Sequence, residues 1–286
     1  MDSIFAMRSY SRVTVHEPQS LTTQRAGRSS SRLCDDIGGL PVGNQFGIKA
    51  PRAWARFAGI CWLATIGAGY FAEGVVRKNL IEFGDAVATL HNIFAHEAMY
   101  RLAVAAEFGG TATYLVLTAI LYLLLAPVNR VVSLMAAVFS VAGCTIWFLN
   151  LINNSAPLIL LGGAHPPVGA DLATTQALAF ALIRLGNEIL LAGMLCFGVH
   201  CLLLGGLIVR SSFFPKWIGL VLAVGGVGYL VSGFAHVAAP DIASAIGKYG
   251  YMPGQAGELL MGVFLTLLGV NASKWNEAAS RNGSSS

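Results

Sequence analysis

The chain is poor in charge. Only 11% of its 286 residues are Asp, Glu, Lys or Arg, against about 25% in an ordinary soluble domain, too few to clothe a water-facing surface of this size. The charge that exists is balanced through the middle: residues 53–272 hold nine of each sign, and the net +4 comes from the two ends. That distribution excludes the clustered basic face of a nucleic-acid binder. The five cysteines (Cys34, Cys61, Cys144, Cys196 and Cys201) show no CxxC spacing, which argues against a disulfide framework or a zinc module. Four of them lie in apolar runs, as buried inert thiols do. There is no GxGxxG, Walker A sequence or nucleophile elbow, so no nucleotide or serine-hydrolase chemistry is announced and no cofactor is expected.

What the chain has is apolar length. Hydrophobic residues make up 55% of it, and most of its 33 glycines sit within or beside the apolar runs, where helices of membrane bundles tolerate them. Residues 1–52 are Ser/Arg-rich without a periodic apolar face and are expected to form a disordered cytoplasmic tail. After Arg52 six segments of spanning length follow, near 54–76, 96–127, 131–153, 172–209, 217–237 and 252–271, since about 20 helical residues cross a hydrocarbon core of about 30 Å. Basic hairpins at Asn129-Arg130 and at Arg210 to Lys216, with the basic N-terminal tail and Lys274, place one side of the bundle in the cytoplasm. The three other connections, 77–95, 154–171 and 238–251, face outward. The expected fold is therefore all-α, a polytopic membrane bundle of six transmembrane helices as three tandem hairpins over residues 53–272. Both termini are cytoplasmic, with a short disordered tail over 273–286.

Several stretches are distinctive: Phe197-Gly198-Val199-His200-Cys201-Leu202-Leu203-Leu204-Gly205, then Arg210-Ser211 with Pro215, Gly228-Tyr229-Leu230-Val231-Ser232, and Phe71-Ala72-Glu73 with Gly84-Asp85-Ala86. In these, and in Tyr100-Arg101-Leu102, Pro127-Val128-Asn129-Arg130 and Gly257-Glu258-Leu259, the chain resembles the bacterial integral-membrane family known as domain of unknown function 4386. The resemblance implies a six-span fold in the bacterial inner membrane and no established activity. Members of that family often carry Asp-Leu-His-Asn where this chain has Arg184-Leu185-Gly186-Asn187, so a role for that Asp or His does not transfer.

Ionisable groups inside a membrane are costly, so their depth matters. Counting helix rise from the flanking cytoplasmic charges puts Glu73, Glu107, Asn150, Glu188, His236 and Glu258 at one level, roughly 24 to 34 Å up the bundle. Glu73, Glu107, Glu188 and Glu258 are the candidate acid/base groups. Arg101, Arg184, Asn150, His236 and His200 are the candidate ligand-binding set, with Arg101 expected to meet Glu73 or Glu258 across helices and Arg184 to lie near Glu188 at i,i+4. His200 sits near mid-bilayer and is expected to donate to a neighbour such as Tyr229 or Tyr122. His91, His96 and Glu97 lack the i,i+4 imidazole spacing of a zinc helix, and no metal is expected. Asp85 and Asp171 read as helix N-caps.

Three functions compete on this pattern. The first is binding of a lipid or isoprenoid-like amphiphile in a pocket open to the outer leaflet. The second is a membrane-embedded acid/base enzyme acting on a lipid-like substrate, and the third is a small-solute transporter. Against all three stands a purely structural reading of the polar layer, as pairing across helices. The bilayer is the one partner the sequence names, and it is silent on oligomeric state.

Overall fold

The structure, a computed structural model, describes residues 48–162 and 171–283. The expected N-terminal tail lies almost wholly outside the described residues. Helix α1 (Pro51–Leu80) begins at the Pro expected of a first helical turn, and a short helix α2 (Ala86–Ala95) follows. Then come α3 (Glu97–Leu125), α4 (Arg130–Leu161), α5 (Leu172–Arg210) and α6 (Lys216–Ala238). A short helix α7 (Pro240–Ile246) leads into α8 (Met252–Leu267) and a last helix α9 (Ala272–Gly283). No strand occurs among the described residues. The fold is an all-α polytopic bundle: α1, α3, α4, α5 and α6 are each long and apolar enough to cross a membrane, and α8 with α9 makes a sixth segment bent by 101°.

The hydropathy boundaries hold to within a few residues except at two places. Helix α4 runs on to Leu161 through Pro157, where the segment was expected to stop near Asn153. Pro157 is buried, and the turn carries on past it because the rest of the helix packs along α5. The second departure is a correction. Residues 273–286 were expected to be a disordered tail, yet Ala272–Gly283 is helical. Gly269, at φ 68°, supplies the left-handed residue that ends α8, and Asn271 accepts from the Lys274 N–H to start α9. Trp275 and Ala279 then bury against the end of the bundle that carries the two basic hairpins.

Asp85 caps α2 by accepting from the Ala88 N–H, and Asp171 caps α5 by accepting from the Thr174 N–H at 2.7 Å. The Thr174 hydroxyl, together with that N–H, holds the Asp171 carboxyl below its usual range.

The six long segments close into a ring. Each packs on the one before it and the one after it, α1 on α3, α3 on α4, α4 on α5, α5 on α6 and α6 on α8, and α8 returns to α1. Near the basic end the ring is filled. Trp62, Tyr114, Phe197, Tyr229, Leu204 and Met261 meet at its axis, with Tyr114 edge-on to Phe197 at 5.1 Å and to Trp62 at 6.3 Å. The α1–α8 seam is tight there: a Cβ on Gly59 would lie 2.4 Å from the Thr266 nitrogen, so only glycine lets the two backbones touch. Toward the far end a smaller cluster of Val76, Leu80, Ile93, Tyr100 and Ile183 seats α2 over the bundle.

Reporter fusions after Pro127 and after Gly162 are expected to label opposite sides of the membrane. Labelling on the same side contradicts this helix path.

Candidate functional site

Between the aromatic plug and the far end lies a cavity of about 720 Å³, walled by all six long segments. It extends from the level of Trp62 to that of Glu73, eleven residues or about 16 Å along α1. Its walls are mostly apolar or aromatic, with Trp147, Met194, Phe197 and Tyr251 among them, and three carboxylates reach it: Glu73, Glu107 and Glu258.

The far-end carboxylates are organised by a local irregularity of α1. Residues Tyr70–Arg77 form a π-helical stretch, in which the Lys78 N–H donates to the Glu73 carbonyl five residues back. Such wide turns are uncommon and recur at functional sites, because they shift the side chains that follow by part of a turn. Here Arg77, only 5% exposed, turns into the bundle. Its Nη1 donates to Glu107 Oε1 at 2.5 Å and also to Glu73 Oε1, while its Nη2 donates to Glu107 Oε2. This is a bidentate fork on Glu107 with Glu73 attached to one prong. Asn154 Nδ2 adds a bond to Glu107 Oε2 at 3.2 Å, and the Tyr100 hydroxyl holds the Asn154 carbonyl at 2.7 Å. One guanidinium thus serves two carboxylates. Both line the cavity, Glu73 with 43% of its side chain exposed and Glu107 with 14%.

The third carboxylate stands apart. Glu258 of α8 accepts from the Tyr229 hydroxyl at 3.1 Å and from the Cys201 thiol at 3.5 Å, with no cation bonded to it among the described residues. The Tyr114 hydroxyl also faces the same carboxyl. Trp62 Nε1, also on the cavity wall, is buried and unpartnered. Buried donors normally find an acceptor, in protein, water or ligand.

The structure therefore brings together Glu73, Glu107, Asn150 and Glu258 of the sequence-derived candidates. It separates the others. Arg101 does not meet Glu73 or Glu258; it is exposed and pairs with Glu97 at 2.7 Å on its own helix. Six residues of helix turn by about 240°, so with Glu107 facing the cavity Arg101 faces away. On α5 Gly186 packs against Asn150 and Leu190 reaches the cavity. Arg184 and Glu188, each two residues or about 200° from Gly186, fall on the outer flank, where Glu188 pairs with His236. His200 is buried outside the cavity and donates from Nδ1 to the Ala136 carbonyl at 2.8 Å, rather than to Tyr229 or Tyr122. His91, His96 and Glu97 do not belong to any three-ligand cluster among the described residues.

Arg77, Tyr100, Asn154, Tyr114 and Tyr229 were missed as site residues. The signal for Arg77 was its i,i+4 spacing from Glu73, but a span drawn to end at the first charge leaves it in a loop. A clean contrast follows. Arg101→Ala is expected to leave the melting temperature in detergent within the noise of a surface substitution, about 0.5 kcal/mol or less. A loss of several degrees would return Arg101 to the site.

The family described as domain of unknown function (DUF4386) matches residues 57–269. An uncharacterized protein of Archaeoglobus fulgidus is 26% identical over 149 residues, covering 52% of this chain and 72% of its own length. No solved structure matches.

Proposed function

The chain belongs to the domain of unknown function 4386 family, which supplies no activity, and from the cavity we propose that the protein binds a lipid or isoprenoid-like amphiphile within the bilayer. The observation that carries this reading is the way α1 and α8 part. They touch at Gly59 and Thr266, yet a few turns further on their cavity-lining residues Tyr70, Met252, Gln255 and Leu259 are exposed. A chamber with a sideways mouth at membrane depth admits a ligand from the lipid, and a mostly apolar wall with few polar groups is what small-molecule sites share. With the basic hairpins cytoplasmic, the mouth opens to the outer leaflet of the bacterial inner membrane. The ligand's polar end meets the carboxylates and its chain the aromatic wall.

The closed basic end speaks against a transporter. His200 is packed between α4 and α5 behind the Tyr114–Phe197 contact, so no polar path continues past it. An acid/base enzyme on a lipid-like substrate is the second reading, favoured by Glu73, which lines the cavity with 43% of its side chain exposed. Arg101 and Arg184 hold no head group in either reading.

Native mass spectrometry of the detergent-purified protein tests the proposal. A retained amphiphile of defined mass is expected, and its occupancy should fall when Met194→Trp narrows the chamber. Bare protein under conditions that preserve the fold would oppose it.

A further inference from the structure

We propose that the chamber selects a lipophilic organic cation, with Glu258 as its charge partner; this rests on the amphiphile reading above and specifies its ligand. The residues that line the cavity include three carboxylates and no Lys, Arg or His. Arg77, the one guanidinium nearby, has both terminal nitrogens engaged by Glu107 and Glu73. An anionic head group, phosphate or carboxylate, would enter a space whose only formal charges are negative. With a neutral head group, only a proton could neutralise Glu258.

Glu258 is the sharper of the two ends. Its bonded neighbours, Tyr229 and Cys201, are neutral, and a carboxylate in apolar surroundings is stable only with a proton or a positive charge beside it. The side chains around it are of the kind that recognise cations. Tyr114 and Tyr229 flank the carboxyl, Tyr251 lies 6.2 Å from Tyr229, and Trp62 lies 6.3 Å from Tyr114. Aromatic faces within about 6 Å attract ammonium and similar ions, most strongly when desolvated, and such cages serve quaternary cations. The unpartnered Trp62 N–H, on a ring with no exposed surface, independently marks this end as the place where a ligand's polar atoms belong.

The test compares two ions of one shape. Tetraphenylphosphonium and tetraphenylborate differ in sign and hardly in size, and each is smaller than the 720 Å³ chamber. Equilibrium dialysis against the full-length protein in a neutral detergent, with farnesol as an uncharged competitor, gives three readings. The phosphonium is expected to bind at least tenfold tighter than the borate. Glu258→Gln should erase most of that preference while leaving farnesol binding within about twofold. Tyr229→Phe, which keeps the carboxyl but removes a donor to it, should retain the preference. Equal binding of the two ions, or tighter binding of the borate, overturns the inference, as does unchanged phosphonium affinity in Glu258→Gln. Farnesol binding with no cation preference would overturn this inference alone. Failure of all three probes to bind would overturn the amphiphile reading as well. Because the ion comparison is made first on the unaltered protein, a Glu258→Gln protein that does not fold leaves the preference itself decisive.

Discussion

Replacing Arg77 with methionine is expected to destabilise the protein by about 3 to 5 kcal/mol, the range seen when one partner of a buried ion pair is removed. The reason is what stays behind. Glu107 and Glu73 both bond the same guanidinium, and without it two neighbouring carboxylates share a poorly solvated corner. Lysine should not rescue the fold, since a point charge cannot reproduce the fork on Glu107. Combining Arg77→Met with Glu107→Gln and Glu73→Gln should recover most of the loss, because replacing a whole buried network by neutral groups of similar size is often tolerated. Melting of the detergent-solubilised variants checks this. If Arg77→Met melts like the unaltered protein, the cluster does not hold the far end of the bundle together.

Trp275→Ala is expected to cost a similar amount, about 3 to 5 kcal/mol for deleting a fully buried aromatic side chain. Trp275 has no exposed surface, and its Nε1 donates to the Leu124 carbonyl at 2.8 Å. Leu124 lies in the last turn of α3, where helix geometry leaves carbonyls without an intrahelical donor. One side chain thus fills the base of the bundle and caps a distant helix. Trp275→Phe keeps most of the packing and loses only the N–H, so it should fall between the two, about 1 to 3 kcal/mol below the unaltered protein. The ordering of the three melting temperatures is the check. A neutral Trp275→Ala would mean that α9 is dispensable.

Both predictions fall on residues that hydropathy does not single out, and the reasons are physical. A span is legible because its composition is set by the lipid around it, which is why the ends of α3, α5 and α6 fall where the charges stop. Helix rise then gives height, and Glu73, Glu107, Asn150 and Glu258, which it puts at one level, line one chamber with Glu258 toward its aromatic end. Height is not azimuth. Glu188 and His236 share that level, with Arg101 and Arg184 one to two turns further out, all on the wrong faces of their helices, and a single chain cannot tell which face of α5 meets α4. Arg77 was hidden twice: a charge at a span's edge looks like its end, and the π-helical turn that directs it inward has no composition of its own. Helix α9 was hidden because its buried stripe, Trp275 with Ala278 and Ala279, is only five residues long in a polar segment.

The chamber is proposed as a binding site for a molecule taken from the membrane. Native mass spectrometry of three proteins prepared side by side decides whether it is: the unaltered chain, Met194→Trp, which narrows the chamber, and Val138→Trp, which places the same ring on an exposed, lipid-facing position of α4. One amphiphile of defined mass is expected at equal occupancy on the unaltered chain and on Val138→Trp, and at clearly lower occupancy on Met194→Trp. Equal lipid load on all three, or none on any while all three melt cooperatively, would contradict the proposal.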